Sequence, residues 1–187
     1  MNKEIYLPVA GKFNQDTLFP DWWNSEEKIE FPFFDNKELA IVITDFVPEE
    51  DKTFIEDADA ALKNFLNLTS VDRNAVSSLA YDECICFLDM VDYDEEEAKS
   101  YRELKDDVHN IWAFIHPTEI YVKRRHRHDK DIYIKTLCRS DWDPEHGLQL
   151  VFRQGKKLTR ISDQDGHLTD ADAYNKPDKE DILLSNF

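Results

Sequence analysis

Asp141, Asp143, Glu145 and His146 form the densest group of reactive side chains in the sequence, with Cys138 just upstream and Trp142 and Gly147 among them. An imidazole beside three carboxylates suits two chemistries. It could complete the ligand set of a divalent metal ion, or His146 could act as a general base oriented by Glu145. Neighbouring residues of an extended chain point to opposite faces, so Glu145 and His146 are poorly placed to serve one ion. The same residues also spell a turn, in which Asp143 and Pro144 reverse the chain, Gly147 supplies a positive φ and Trp142 caps the core. The turn is the preferred reading. A metal-dependent or hydrolytic site on 141–146 is the alternative.

A thiol nucleophile would have to pair Cys138 with His146 or His116. No glycine-rich phosphate loop, nucleophile elbow or paired-histidine zinc motif accompanies that pairing, which weighs against an enzyme. The run Tyr121, Val122, Lys123, Arg124, Arg125, His126, Arg127, His128 could contact phosphate. A net charge of -17 argues against a nucleic-acid partner, so this run is expected to be a solvated hairpin or to pair with the chain's own acidic helices. Asp163, Gln164, Asp165 and Gly166 loosely match the start of a calcium loop. The glycine comes too early, and Tyr174 stands where the bidentate Glu belongs, so the expectation is an ordinary turn. No cofactor and no metal ion is expected.

Acidity is the other chemical resource. Before residue 116 there are 10 basic and 27 acidic residues, and after it 13 of each. Glu49, Glu50 and Asp57, then Glu95, Glu96 and Glu97, could present a negative surface that steers a basic protein toward it; solubility is the competing explanation. Trp22 and Trp23, adjacent on a loop, are the kind of aromatic that anchors an interface, or they fill the core. These eight residues make up the expected interface.

The elements that must position these groups follow from periodicity. Residues 4–7 and 28–34 alternate as short strands, with Pro32 marking an edge or bulge, and 38–46 is apolar at consecutive positions, as in a central strand covered on both faces. After Pro48 the period becomes helical. Phe54, Ala58, Ala61, Leu62 and Phe65 form one stripe, 71–91 a second helix with Cys84 inward, and Asp94 with Glu97 opens a third that runs to Ile115. Strand periodicity returns in 119–124, 131–138, 148–153 and 157–162. Gln154 with Gly155 forms a turn, and Asp165 with Gly166 is a strong hairpin dipeptide.

The expected fold is therefore α+β: a mostly antiparallel sheet with about three helices packed on one face, the late strands forming a meander. One domain spans 1–187, with early strands in 1–47, a helical layer in 48–116, the meander in 117–170 and a tail in 171–187 that docks loosely or frays. The longest aliphatic run, 39–43, is too short to cross a bilayer. The amino terminus lacks the pattern of a signal peptide. Three cysteines fit a reducing compartment better than a disulfide scaffold, so a cytoplasmic protein is expected.

The segment Trp142, Asp143, Glu145, His146, Gly147, Leu148, with Cys138 before it and alternating apolar residues and a glycine turn after it, resembles the signature of an uncharacterised bacterial domain family over about 112–168. That resemblance implies no activity. The family's company with small toxin-neutralising proteins implies an immunity-type role. The functional expectation is an acidic protein that binds another macromolecule, with a basic protein as partner and no membrane. A structural domain without its own activity is a further alternative.

Overall fold

The computed structural model describes residues 3–91, 93–126 and 128–186. Its strands are β1 (Glu4–Leu7), β2 (Gly11–Gln15), β3 (Trp23–Ser25), β4 (Ile29–Phe31), β5 (Lys37–Ile43), β6 (Ile115–Arg124), β7 (Ile132–Ser140), β8 (Leu148–Arg153) and β9 (Lys157–Ser162). Its helices are α1 (Phe54–Leu66), α2 (Ser70–Ala75), α3 (Ser77–Met90), α4 (Glu95–Arg102), α5 (Asp170–Ala173) and α6 (Ile182–Ser185), with 3₁₀ segments at Pro32–Phe34, Glu103–Asp106, Val108–Phe114 and Asp178–Glu180.

The strands form one sheet in the order β1-β2-β3-β5-β6-β7-β8-β9, with β4 also paired to β5, so the early strands join the late ones. All of these pairs are antiparallel except β5 with β6. A parallel pair cannot be closed by a tight turn and needs a crossover. Residues 44–114, which carry α1 to α4, are that crossover, and this is why the helical stretch interrupts the strands.

Alternation sorts the central strands into two faces. Ile41, Ile43, Ile120, Val122, Ile134, Leu150 and Phe152 join the main core with Phe54, Ala58, Ala61, Leu62 and Phe65 of α1 and Ala80, Cys84 and Leu88 of α3. Gly155 sets how closely α1 can lie against the β8–β9 turn: its φ is +64°, and a Cβ there would sit 2.0 Å from the Ala61 carbonyl oxygen. On the opposite face Tyr133 and Val151 are buried with Leu168, which lies on the chain returning after β9.

The helices depart from the expected three on one face. The second predicted helix divides at Val76 into α2 and α3, where the guanidinium of Arg73 reaches Asp35 (2.7 Å) and the buried Ser77 hydroxyl accepts from Trp112 Nε1 (2.8 Å). The third stops at Arg102 and continues as 3₁₀ segments, broken at Asp107 (φ -150°, ψ 84°), whose carboxylate accepts from the His109 N–H. The tail is docked rather than frayed. Buried Asp181 accepts from the Ala171 N–H (2.9 Å) and the Leu184 N–H (3.0 Å), which fastens α6 to α5. Asp165 and Gly166 do not turn a hairpin, because no strand follows β9 among the described residues. The Asp165 carboxylate instead accepts from Gln149 Nε2 (2.8 Å) and from Arg160. Among the described residues, no helix is long and apolar enough to cross a membrane.

Candidate functional site

The β7–β8 loop separates the four residues of the predicted 141–146 site. Asp143 is buried, and its Oδ1 accepts from the His146 N–H (3.0 Å), with both carboxylate oxygens 3.1 Å from His146 Nδ1. Asp141 turns the other way and meets His116 Nε2 at 2.8 Å. Glu145 is exposed. Gly147 closes the loop at φ +65°, where a Cβ would stand 2.7 Å from the Cys138 carbonyl oxygen, and buried Trp142 sets its ring edge-on to Tyr101.

The loop's aspartates therefore enter two separate carboxylate–imidazole pairs, Asp143 with His146 of the loop and Asp141 with His116 of β6, each able to orient a base but neither built on Glu145. Cys138 is fully buried, and burial pushes its thiol far above the usual range, so it cannot supply the thiolate that its pairing with His146 or His116 would need. Among the described residues, no group of three or more His, Cys, Asp or Glu is placed to hold a metal ion.

Within the basic run Arg124 and Arg125 are turned inward, while His126 and His128 are exposed. Arg124 reaches Asp51 and, at 2.8 Å, Asp57, both from the α1 region, so it pairs with the acidic helical stretch. Arg125 contacts Asp129 (3.1 Å), Asp172 (2.7 Å) and Asp178 (2.7 Å), which ties the β6–β7 turn to the C-terminal segment. Arg160 is held between Asp165 and Asp170. Arg127 lies outside the described residues.

The expected interface is divided as well. Trp23 is buried in the core, where its Nε1 donates to the Phe46 carbonyl (3.0 Å), so it cannot face a partner. Trp22, one residue earlier and on the opposite face, packs on Phe19 and edge-on to Tyr121. Asp57 is engaged by Arg124. Glu49, paired with Lys3 (3.3 Å), and Glu50 are exposed near the start of α1. Glu95, Glu96 and Glu97 are exposed in the first turn of α4, where Asp94 caps the helix by accepting from the N–H groups of Glu96 and Glu97. Negative charge there is favoured by the helix dipole.

A groove of about 680 Å³ runs between α3 and the end of β9, lined by Glu83, Phe87 and Met90 on one side and by Arg160, Asp163 and Tyr174 on the other, with His146 at its margin. Glu83 is largely enclosed. Burial first, and then the charges of Asp163 and Asp170, push its carboxyl up to about 7, with Arg160 opposing. Glu83 interrupts the apolar stripe of α3, which passes through Val76, Ala80, Cys84 and Phe87. A carboxylate at that spacing is the signal that could have identified it.

No curated protein and no solved structure matches the chain. The model of a domain of unknown function, DUF6985, matches residues 9–168, a longer span than the 112–168 that carries the resemblance of the 142–148 segment. That match takes in the sheet from β2 to β9, the helical crossover and the groove's α3 wall, and the chain belongs to the DUF6985 family.

Proposed function

We propose that the protein binds a basic protein through its acidic helical surface. The observation that carries this reading is the internal neutralisation of the arginines. Arg124, Arg125 and Arg160 are 8%, 4% and 3% exposed and each meets at least two carboxylates, while Glu49, Glu50, Glu95, Glu96 and Glu97 remain exposed on a chain of net charge -17. An uneven charge distribution of this kind raises encounter rates with an oppositely charged partner and sets it in register. The finer form of the proposal is a bacterial, cytoplasmic immunity protein that occludes a basic toxin such as a nuclease. The acidic surface and the resemblance of the 142–148 segment support it.

The test is affinity capture from source cells at low and high salt, with the wild type and a Glu95→Lys, Glu96→Lys, Glu97→Lys variant. A positively charged protein retained at low salt, released by salt and lost with the variant is the expected result. Capture of no basic partner, or equal capture by the variant, overturns the proposal.

A further inference from the structure

We infer that the groove between α3 and the end of β9 docks a basic amphipathic segment of the protein partner, with its cationic side chains against Glu83 and Asp163 and its apolar side chains on Phe87, Met90 and Tyr174. This deepens the proposed function and rests on it. The apolar part of the argument is exposure. Met90 and Tyr174 are 74% and 70% exposed, Val91 is exposed beside them, and all three line this one groove, a clustering that marks an interaction surface rather than scattered surface residues. The volume suits several side chains.

Charge selects the occupant. Arg160 answers Asp165 and Asp170, and His146 answers Asp143, but among the described residues no cation stands in ion-pair contact with Glu83 or Asp163. Lys and Arg can lay their aliphatic stems on apolar walls while their heads reach carboxylates, which is how basic amphipathic helices fill such grooves. Arg160, almost wholly buried in the groove wall, also keeps an Nε–H without an acceptor. The exposed Tyr174 ring lies 5.8 Å from that guanidinium. The α3 wall ends at Val91, and α4 with its acidic first turn follows a few residues further along the chain.

Proton release should accompany docking. The groups facing Glu83 are Asp163, Asp170 and Arg160, with Asp143, His146, Asp165 and His167 elsewhere in the groove wall. A cation arriving beside Glu83 favours its ionised form, so affinity rises through the neutral range. Replacing Glu83 should remove this pH dependence.

The probe is an amphipathic peptide of Lys and Leu, about 18 residues long, against the same pattern in Glu and Leu, titrated calorimetrically into the full chain in two buffers of different ionisation enthalpy. The Lys/Leu peptide should bind and release a proton, and the Glu/Leu peptide should not bind. Met90→Ser with Tyr174→Ser, both at exposed positions that leave the fold intact, should weaken binding by about tenfold or more. Glu83→Gln should abolish the proton release while circular dichroism stays unchanged. Equal binding of both peptides, or undiminished binding by the Met90/Tyr174 variant, overturns the groove assignment. A natural partner lost by the α4 variant but kept by the groove variant would leave the proposed function standing and the groove assignment refuted.

Discussion

At the β6–β7 end, Arg124 and Arg125 are enclosed by carboxylates from the α1 region, the β6–β7 turn and the C-terminal segment, whereas in the groove between α3 and β9 the carboxylates of Glu83 and Asp163 have no cation in ion-pair contact among the described residues. The first arrangement fastens distant parts of the chain, since each buried guanidinium has partners 47 to 73 residues away. The second works against folding at Glu83, because enclosing its carboxyl, which Arg160 offsets only in part, raises the cost of the ionised form. Enclosed arginines are thus architectural in this molecule, whereas the groove keeps carboxylates that no ion pair answers among the described residues.

The largest effect is expected at Arg125. Arg125→Ala leaves Asp129, Asp172 and Asp178 facing one another, and unfolding in urea should show a loss of about 3–5 kcal/mol, with fast amide exchange over 171–186. A loss below about 1 kcal/mol would mean that the enclosed cluster is no more structural than an exposed pair. The same contact predicts acid behaviour. Arg125 holds the Asp178 carboxyl below the usual carboxylate range. Because the folded value is depressed, its stabilisation is present above the unfolded pKa of about 3.9 and is lost as pH falls through the folded one. The tail should therefore loosen only in acid, and the Arg125→Ala variant should lack that step.

Glu83→Gln sharpens the other side with the opposite sign. The carboxyl is raised to about 7, so the folded state holds the proton more tightly than the unfolded chain, and stability falls as pH rises from the unfolded value to the folded one. The substitution should add about 1–3 kcal/mol at pH 8 and almost nothing near pH 4.5, read from urea midpoints at the two pH values. A variant less stable than wild type at pH 8 would show that Glu83 is a satisfied structural group. The smallest effect belongs to the exposed α4 turn. Reversing Glu95, Glu96 and Glu97 to Lys should cost about 1–2 kcal/mol in total through the helix dipole and the weak Glu95 contact with Arg102, a modest drop in melting temperature.

Several elements were legible because their signal is local. The two-residue period located β6 to β9, the stripe from Phe54 to Phe65 located α1, and the consecutive apolar residues around Ile41 identified a strand buried on both faces. Apolar periodicity does not show the division at Val76, across which α2 and α3 share a stripe, or the stop at Arg102 and the break at Asp107, which depend on capping rather than on hydrophobicity. Nor does it distinguish Trp22 from Trp23. Adjacent residues entering a strand face opposite sides, so one is in the core and the other is not.

What the sequence determined by itself was the inventory: a -17 charge, the alternating and helical apolar patterns that decide which faces must be buried, and the acidic first turns of the helices. Tertiary structure alone decided which charges are answered. Arg124 meets Asp57, and Arg125 meets Asp178, only because the parallel pairing of β5 with β6 and the return of the chain after β9 bring them together. For the same reason Glu83 has no ion-pair partner among the described residues, only the more distant charge of Arg160 and the Asp163 backbone N–H. Burial is imposed by local apolar periodicity, but ion pairing requires contact across long stretches of chain, and no local pattern encodes which carboxylate a given arginine will find.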